Sequence, residues 1–417
     1  MKVRTTCRSC ESSDLGLVLD MGELPLENIL PTPEEYAKGE DRYGLTVVFC
    51  RRCCLMQIKE TVEAEVLFGA DYPYYSSFSD YLLQHSRENA LQLIERQKLS
   101  GASLVVELAS NDGYLLKNFQ EKGIPVLGID PAPGPAAAAE KIGVPTLCEF
   151  FDSEMARRLR SEGKRADVIV ANNVMAHIPD LNDFVEGMSI LLKEDGICTV
   201  ENPYVKDLIE NCEFDTIYHE HQCYHSVTAV SQLFARHGLT LFDVEHLPIH
   251  GGSLRYYGGP NQEAGEAVKR YLAEEEAAGL TSFDYYRDFG QRVESIKTEL
   301  IRLLRGLKAE GKRIAAYGAA AKGSTLTNYT GVDHELLDFV VDRNVHKQGL
   351  YMPGIGVPIR PVEALVEEMP DYVLILAWNF KDEILRQQAE YTGKGGQWIV
   401  PIPYPAVLET VETTSQP

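Results

Sequence analysis

Residues 214–225 read Phe-Asp-Thr-Ile-Tyr-His-Glu-His-Gln-Cys-Tyr-His. Within them His219, His221 and His225 stand close to Glu220, Tyr218 and Tyr224. An extended chain here would put His219, His221, Cys223 and His225 on one face, with Tyr218 and Glu220 on the other. That alternation suits a metal site. The same residues suit proton transfer, in which a carboxylate orients an imidazole or shares its charge. A polar loop is the plainest reading. The spacing is not HExxH, which binds zinc from a helix.

Four cysteines make a sharper pattern. Cys7 and Cys10 form one CxxC knuckle, Cys50 and Cys53 a second, and 39 residues separate them. Two tight turns that each present two thiolates complete a tetrahedron around zinc. Such a closed site leaves no open coordination position, so it builds structure and performs no chemistry. The five remaining cysteines show no framework spacing, which points to a reducing cytoplasm.

A third group lies where an apolar run turns into a helix. The run Leu104–Leu108 is followed by Ala109-Ser110-Asn111-Asp112-Gly113. An acidic residue, a turn of small residues and a helix N-terminus make a dinucleotide or adenosyl site. The GxGxxG spacing of nicotinamide sites is absent. Glu107 and Asp112 would repel a pyrophosphate. A cationic cofactor without phosphate fits better, and S-adenosylmethionine is such a molecule. Asp130 ends the next strand and is placed to accept from ribose hydroxyls. Glu107, Ala109, Asn111, Gly113, Asp130 and Asn172 are the candidate cofactor residues.

Two further stretches combine glycine with charge. His250-Gly251-Gly252 precedes Arg255, and the glycines allow close approach to a ligand. Tyr317-Gly318-Ala319-Ala320-Ala321-Lys322-Gly323-Ser324 reads as a strand turning into a helix. There, backbone amides could meet an anion and Lys322 could neutralise it. An aromatic run, Asp71-Tyr72-Pro73-Tyr74-Tyr75-Ser76-Ser77, has the composition of a loop lining a site.

The elements that must position these residues are of α/β type. A helix over 80–97 precedes a buried strand at 104–108. Further strands are expected at 126–129, 144–147, 167–171 and 196–200. They alternate with helices over short loops, which indicates a parallel sheet. Phe289, Val293, Ile296, Leu300, Leu303 and Leu307 step by four and three along an amphipathic helix. Strand candidates at 337–341 and 372–377 make a second, smaller α/β domain.

The chain has 417 residues, room for two or three domains, and 44% are hydrophobic, enough for packed cores. A formal charge of −22 argues against a nucleic-acid partner, which would need clustered Lys and Arg. No apolar run reaches membrane-spanning length, and the N-terminus lacks a signal-peptide core. The expectation is a cytoplasmic protein with neither membrane nor nucleic acid as partner.

Taken in order, these motifs resemble the zinc-containing, S-adenosylmethionine-dependent C-methyltransferases of nucleotide-linked deoxysugars, of the tetronitrose C-3′ type. The matches are the paired knuckles, Asp71–Tyr74, Glu107 with Asn111-Asp112-Gly113, and Met175-Ala176-His177-Ile178-Pro179. Tyr218 with Glu220-His221, His250–Gly252, Tyr317-Gly318-Ala319 with Lys322, and Ala377-Trp378-Asn379 complete the set. The resemblance implies three parts: a zinc module (1–65), a class I Rossmann-like methyltransferase domain (66–260) and, after a helical connector (261–310), a Rossmann-like C-terminal domain (311–417). It places the sugar nucleotide between the last two. It makes His221 the general base, paired with Glu220, and sets Tyr72, Tyr218 and His177 around the reacting sugar. Tyr74, His250, Arg255, Tyr317, Gly318, Lys322, Ser324 and Trp378 become substrate contacts.

Two departures stand out. Ala109 replaces a glycine frequent in such turns, and His219 and His225 enrich the central stretch. The implied substrate is a dTDP-linked 4-keto deoxysugar, because a C–H bond yields to imidazole only beside a ketone. The resulting enolate carbon attacks the methylsulfonium. Transfer to oxygen or nitrogen of a nucleotide sugar, or sugar-nucleotide binding without catalysis, are the alternatives.

Overall fold

The computed structural model describes residues 1–67 and 75–408. The chain forms two compact units, each discontinuous in sequence. One comprises Met1–Gly16, Val48–Lys206 and Gln222–Tyr285, and the other Leu17–Val47, Asp207–His221 and Tyr286–Pro417. Between the knuckles run β1 (Leu15–Pro25) and β2 (Arg42–Cys50), which pair with each other. Most of this hairpin belongs to the second unit.

In the first unit, β3 (Met56–Ile58) follows the second knuckle. Helix α1 (Asp80–Gln97) starts where the Ser79 side chain accepts the Leu82 amide and ends at Lys98 in a left-handed conformation. Then come β4 (Val105–Leu108), α2 (Leu116–Gln120), β5 (Val126–Ile129), β6 (Thr146–Leu147), β7 (Ala166–Asn172) and β8 (Leu192–Pro203). After the second unit's segment follow β9 (Cys223–Tyr224), β10 (Thr240–Leu247) and β11 (Ser253–Gly259).

Seven of these make one sheet of order β10-β11-β8-β7-β4-β5-β6. From β8 to β6 every pairing is parallel. The strands β4 and β5 are buried along their whole length, because helices cover both faces of a parallel sheet. The five expected strands are mutually parallel, as expected; β10 and β11, which lie outside them, extend the sheet, with β11 antiparallel to both β8 and β10. An apolar run announces a strand but not its direction. The third expected strand is also shorter than 144–147, and the one at 196–200 is longer.

In the second unit, α3 (Phe289–Ala309) buries Phe289, Val293, Ile296, Leu300, Leu304 and Leu307. Leu304 is buried in place of the expected Leu303; at about 100° per residue the two flank the stripe on opposite sides. Each aliphatic side chain buried here contributes about 1.5–3 kcal/mol.

Next come β12 (Ile314–Tyr317), α4 (Ala321–Thr330), β13 (Val340–Val341), β14 (Ile359–Arg360), β15 (Tyr372–Ile375), β16 (Gln397–Val400) and β17 (Ala406–Val407). Their order is β14-β13-β12-β15-β16-β17, parallel except for β17. The hairpin packs into this unit: Tyr36 stacks on Tyr351 with ring centroids 5.7 Å apart, and Glu40 accepts the Gly354 amide at 2.7 Å. Among the described residues no helix is long and apolar enough to cross a membrane.

Candidate functional site

The Sγ atoms of Cys7, Cys10, Cys50 and Cys53 all lie within 4.8 Å of one another. Cys7–Cys53 and Cys10–Cys50 are each 3.5 Å apart. A tetrahedron of zinc–thiolate bonds has edges of about 3.8 Å, so these four side chains fit a zinc ion. Gln57 supports the site, a role its sequence position gave no sign of. Its amide nitrogen donates to Cys7 Sγ at 3.2 Å while its oxygen accepts the Arg8 amide at 2.8 Å. Among the described residues no other group of three His, Cys, Asp or Glu side chains is close enough to hold a metal.

That result settles one reading of the histidine stretch. His219, His221 and His225 do not converge, because the chain is not extended there. A 3-10 turn covers Phe214–Thr216, and a further turn closes with the His221 amide on the Tyr218 carbonyl at 2.9 Å. The alternation of faces is therefore lost. His225 falls in the first unit, buried, and burial pushes its pKa down to about 4. It is a neutral side chain in the core.

The cofactor turn is the acidic corner of the first unit. Ala109 and Asn111 take φ of +54° and +49°, and Gly113 takes +77°. A Cβ at Gly113 would come within 3.0 Å of Val144. Asp130 holds the turn, its carboxylate accepting the amides of Asn111 and Ala132 at 2.8 Å each. Asn111 and Asp112 in turn accept the amides of Ser76 and Ser77, the end of the aromatic run. Tyr72 and Tyr74, earlier in that run, lie outside the described residues.

Burial, then the charges of Asp130 and Asp112, hold the Glu107 carboxyl well above the usual range. Burial raises Asp130 as well. One oxygen each of Glu107, Asp112 and Asn172, and the Ser110 hydroxyl, have no hydrogen-bond partner among the described residues. Buried acceptors without donors fit a ligand that brings hydroxyls and a positive charge, as S-adenosylmethionine does. His177 sits half-buried at the end of the 3-10 turn Met175–His177.

Of the residues near the Gly251-Gly252 turn, His250 lies within the 3-10 turn Ile249–Gly251. Arg255 is almost fully buried, and its guanidinium meets Glu201 at 2.9 Å and Glu245 at 3.3 Å. His85 also bonds Glu201, at 2.9 Å. Arg255 thus closes an internal ion network.

The residues read as candidates for proton transfer, Tyr218, Glu220 and His221, lie in the second unit. His221 Nδ1 faces the Thr216 carbonyl at 3.0 Å, so that nitrogen carries the proton and donates it. Nε2 is then left basic, with the Tyr218 hydroxyl 2.8 Å away and the two rings stacked at 4.0 Å. His219 is different. Its Nδ1 faces Glu27 at 2.7 Å, and its Nε2 faces the carbonyls of Tyr43 and Gly44 at 3.2 Å each. Burial opposes charge here, but Glu27 and the carbonyls outweigh it and raise the pKa. With acceptors on both sides the ring is a structural imidazolium.

Glu220 is buried, and its carboxyl accepts the Asn28 amide at 2.6 Å. Burial pushes it up to about 7.

Sequence reasoning missed Glu27 and Asn28, which look like ordinary loop residues between the knuckles. It also missed Asp215. This carboxyl is fully buried, accepts the Trp378 indole N–H at 2.7 Å, and is pushed by burial up to about 6. The Lys322 ammonium lies 4.5 Å from the Trp378 ring centre and has no hydrogen-bond partner among the described residues. Asp215 and Glu213 supply nearby negative charge.

The turn after β12 holds Gly318 at φ +99°, where a Cβ would meet Ala377 at 2.9 Å. Lys347 donates to the Ala319 carbonyl in that turn at 2.6 Å. Tyr317 is buried against Trp398. Ser324 donates to the Glu27 carbonyl at 3.1 Å and so anchors the hairpin.

Comparison with known proteins picks out three successive stretches of the chain. Residues 7–68 match the family described as "Putative zinc binding domain", 78–244 a "Methyltransferase domain" and 248–403 a "C-methyltransferase C-terminal domain". The chain is 38% identical over 410 residues to C-methyltransferase NovU of Streptomyces niveus, covering 98% of this chain and 97% of that one. Among solved structures, a methyltransferase of Clostridium acetobutylicum matches 44% of this chain and 93% of its own at 14% identity and TM-score 0.36. The complex of a Haloferax volcanii methyltransferase activator with a methyltransferase matches 43% of this chain and 94% of its own at 15% identity and TM-score 0.34. A relative so similar over nearly the full length, together with a cysteine tetrad and an acidic cofactor turn, places the chain among the S-adenosylmethionine-dependent C-methyltransferases that carry a zinc-binding domain.

Proposed function

We propose that the methyl acceptor is a carbon next to the ketone of a nucleotide-linked 4-keto deoxysugar, with dTDP as the nucleotide. The observation that carries this reading is the state of His221. Its Nδ1 proton is fixed on the Thr216 carbonyl, so Nε2 is a ready base, and the Tyr218 phenol shares its hydrogen bond. A carbon acceptor needs such a base, and only a ketone beside the C–H bond brings its acidity within reach of imidazole.

In this reading the α proton leaves carbon and ends on His221 Nε2. The electron pair it leaves behind forms the enolate. Glu220, ionised, steadies the imidazolium that results. The cofactor, when bound, would supply an electrophilic methyl group to the enolate carbon, its S–CH3 bond breaking with the electron pair left on sulfur. Glu107, Asp112 and Asp130 would hold the cofactor. On the other ligand, Lys322 and Lys347 would offset the diphosphate charge, and Trp378 would offer a flat apolar face. His177 remains a candidate contact to the sugar, as do Tyr72 and Tyr74.

The test is solvent exchange. Given a 4-keto sugar nucleotide and S-adenosylhomocysteine, the wild type should wash deuterium into one carbon. His221→Asn should not, and should lose turnover by about two to four orders of magnitude while still binding the cofactor. A product carrying its new methyl on oxygen or nitrogen would reject the carbon acceptor.

A further inference from the structure

The hairpin between the knuckles sends two side chains to the segment that carries the base. Glu27 holds His219 and Asn28 holds Glu220, across 192 residues of sequence in each case. Neither contact is accidental in its backbone. Ser324 anchors the Glu27 carbonyl at 3.1 Å, and the Pro31 carbonyl accepts the Tyr351 amide at 2.9 Å. The stretch 27–31 is therefore pinned on both sides of Asn28. The Asn28 side-chain amide donates to the Glu220 carboxyl at 2.6 Å.

We propose that Asn28 is a positioning residue for the methyl-transfer chemistry, its amide holding Glu220 in one rotamer and favouring the ionised carboxylate. The hairpin then serves the reaction as well as spacing the knuckles. This rests on the reading of Glu220 and His221 given above. Other groups face Glu220 too: Glu27 from the hairpin, which disfavours its charge, and His219 from its own segment with Lys347 from the loop after β13, which favour it. Asn28 is the uncharged member of the set, so its removal changes a hydrogen bond without changing net charge.

Two measurements on the full-length protein separate this inference from the reading beneath it. Infrared titration follows the protonated carboxyl band that disappears in Glu220→Gln. Asn28→Leu removes the donor, and the midpoint of that band should move up by about one pH unit. The kcat profile should follow, falling about fivefold at pH 7 and recovering at pH 9, with KM little changed. Asn28→Gln, which can restore the donor, should return both towards wild type. Asn28→Asp should raise the midpoint further, since two carboxyls would share one proton. A midpoint that stays at the wild-type value in Asn28→Leu and Asn28→Asp overturns the role of Asn28 and leaves His221 untouched. A midpoint that moves while the kcat profile stays still overturns the part of Glu220 in the reaction, and that of Asn28 with it.

Discussion

In the first unit, Asp130 at the end of β5 accepts two amides at 2.8 Å, one from the turn after β4 (Asn111) and one two residues ahead of itself (Ala132). In the second unit, Asp342 after β13 does the same at 2.8 Å with Ala319, in the turn after β12, and with Asn344. The backbone device is shared, and the charges around it differ. Beside Asp130 stand Glu107 and Asp112, both buried acids. Beside Asp342 stands Lys347, with Lys322 at the start of the following helix. A turn of this kind offers amides to any ligand, so the neighbouring charges select which ligand it takes. The acidic copy suits the cationic cofactor, and the basic copy suits the proposed diphosphate.

Metal removal is the largest perturbation of this pair. Structural zinc in isolated zinc-finger peptides is worth about 10–16 kcal/mol, and that energy is also folding energy. Cys50→Ser should lose the ion and loosen the knuckles, with elemental analysis falling from about one zinc per chain to none. The two turns should respond unequally. The turn at 107–113 is tied to Asp130 and to Ser76 and Ser77, so cofactor binding should persist in calorimetry. The hairpin that brings Glu27 and Asn28 starts and ends at the knuckles, so turnover should collapse. Full zinc retention in this variant would reject the site.

A second perturbation addresses charge directly. Lys322→Met removes a buried ammonium at the basic turn. Losing a charge-assisted contact costs about 1.5–3 kcal/mol, so sugar-nucleotide affinity should fall roughly tenfold to a hundredfold. Cofactor affinity should stay within about twofold, because the acidic turn keeps all its groups. Equal losses for both ligands, titrated separately, would mean that charge does not assign them.

What could be read in advance follows from the range of the interactions. The knuckles and the acidic turn are local patterns, legible from residue types and spacing alone. The amphipathic period of α3 was legible as well, with only Leu303 standing for Leu304. The direction of β11 was not, since pairing is decided by strands far away in sequence. Tyr218, Glu220 and His221 were visible as a dense cluster. Their geometry was not, because the turn after Thr216 breaks the alternation that extended reasoning assumed. Asn28, Glu27 and Lys347 gave no sign at all. Each is an ordinary polar residue until the fold brings it to a buried partner.

Buried acids in both units give the pair a common pH signature. Burial raises Glu220 from its ordinary value of 4.5 to about 7. The folded state therefore keeps a proton that the unfolded chain releases across that window. Stability contributed by this group falls as pH rises from about 4.5 to 7, by up to about 3 kcal/mol. Glu220→Gln should flatten this part of the stability profile, matching wild type near pH 4 and exceeding it at pH 8. Glu107 is raised in the same direction, so Glu107→Gln should act likewise in the first unit. Denaturant titrations across that range check both. A Glu220→Gln protein less stable than wild type at pH 8 would show that the carboxylate is well paired, against the raised pKa.

The smallest effect concerns how the two turns are shaped. Gly318 supplies the left-handed residue of the basic turn at no steric cost, whereas the acidic turn places Ala109 at φ +54°. A left-handed L-residue with a Cβ costs about 1–2 kcal/mol, partly offset in a glycine variant by the greater freedom of its unfolded chain. Ala109→Gly should therefore stabilise the protein by about 1 kcal/mol or slightly less. Because Asn111 and Gly113 keep their conformations, cofactor affinity should not weaken. A stabilised variant with unchanged affinity would mean that the strain at Ala109 is incidental to the site. A stabilised variant that binds the cofactor more weakly would mean that the strained residue holds the acidic turn in its binding shape, a constraint the glycine-built basic turn does not share.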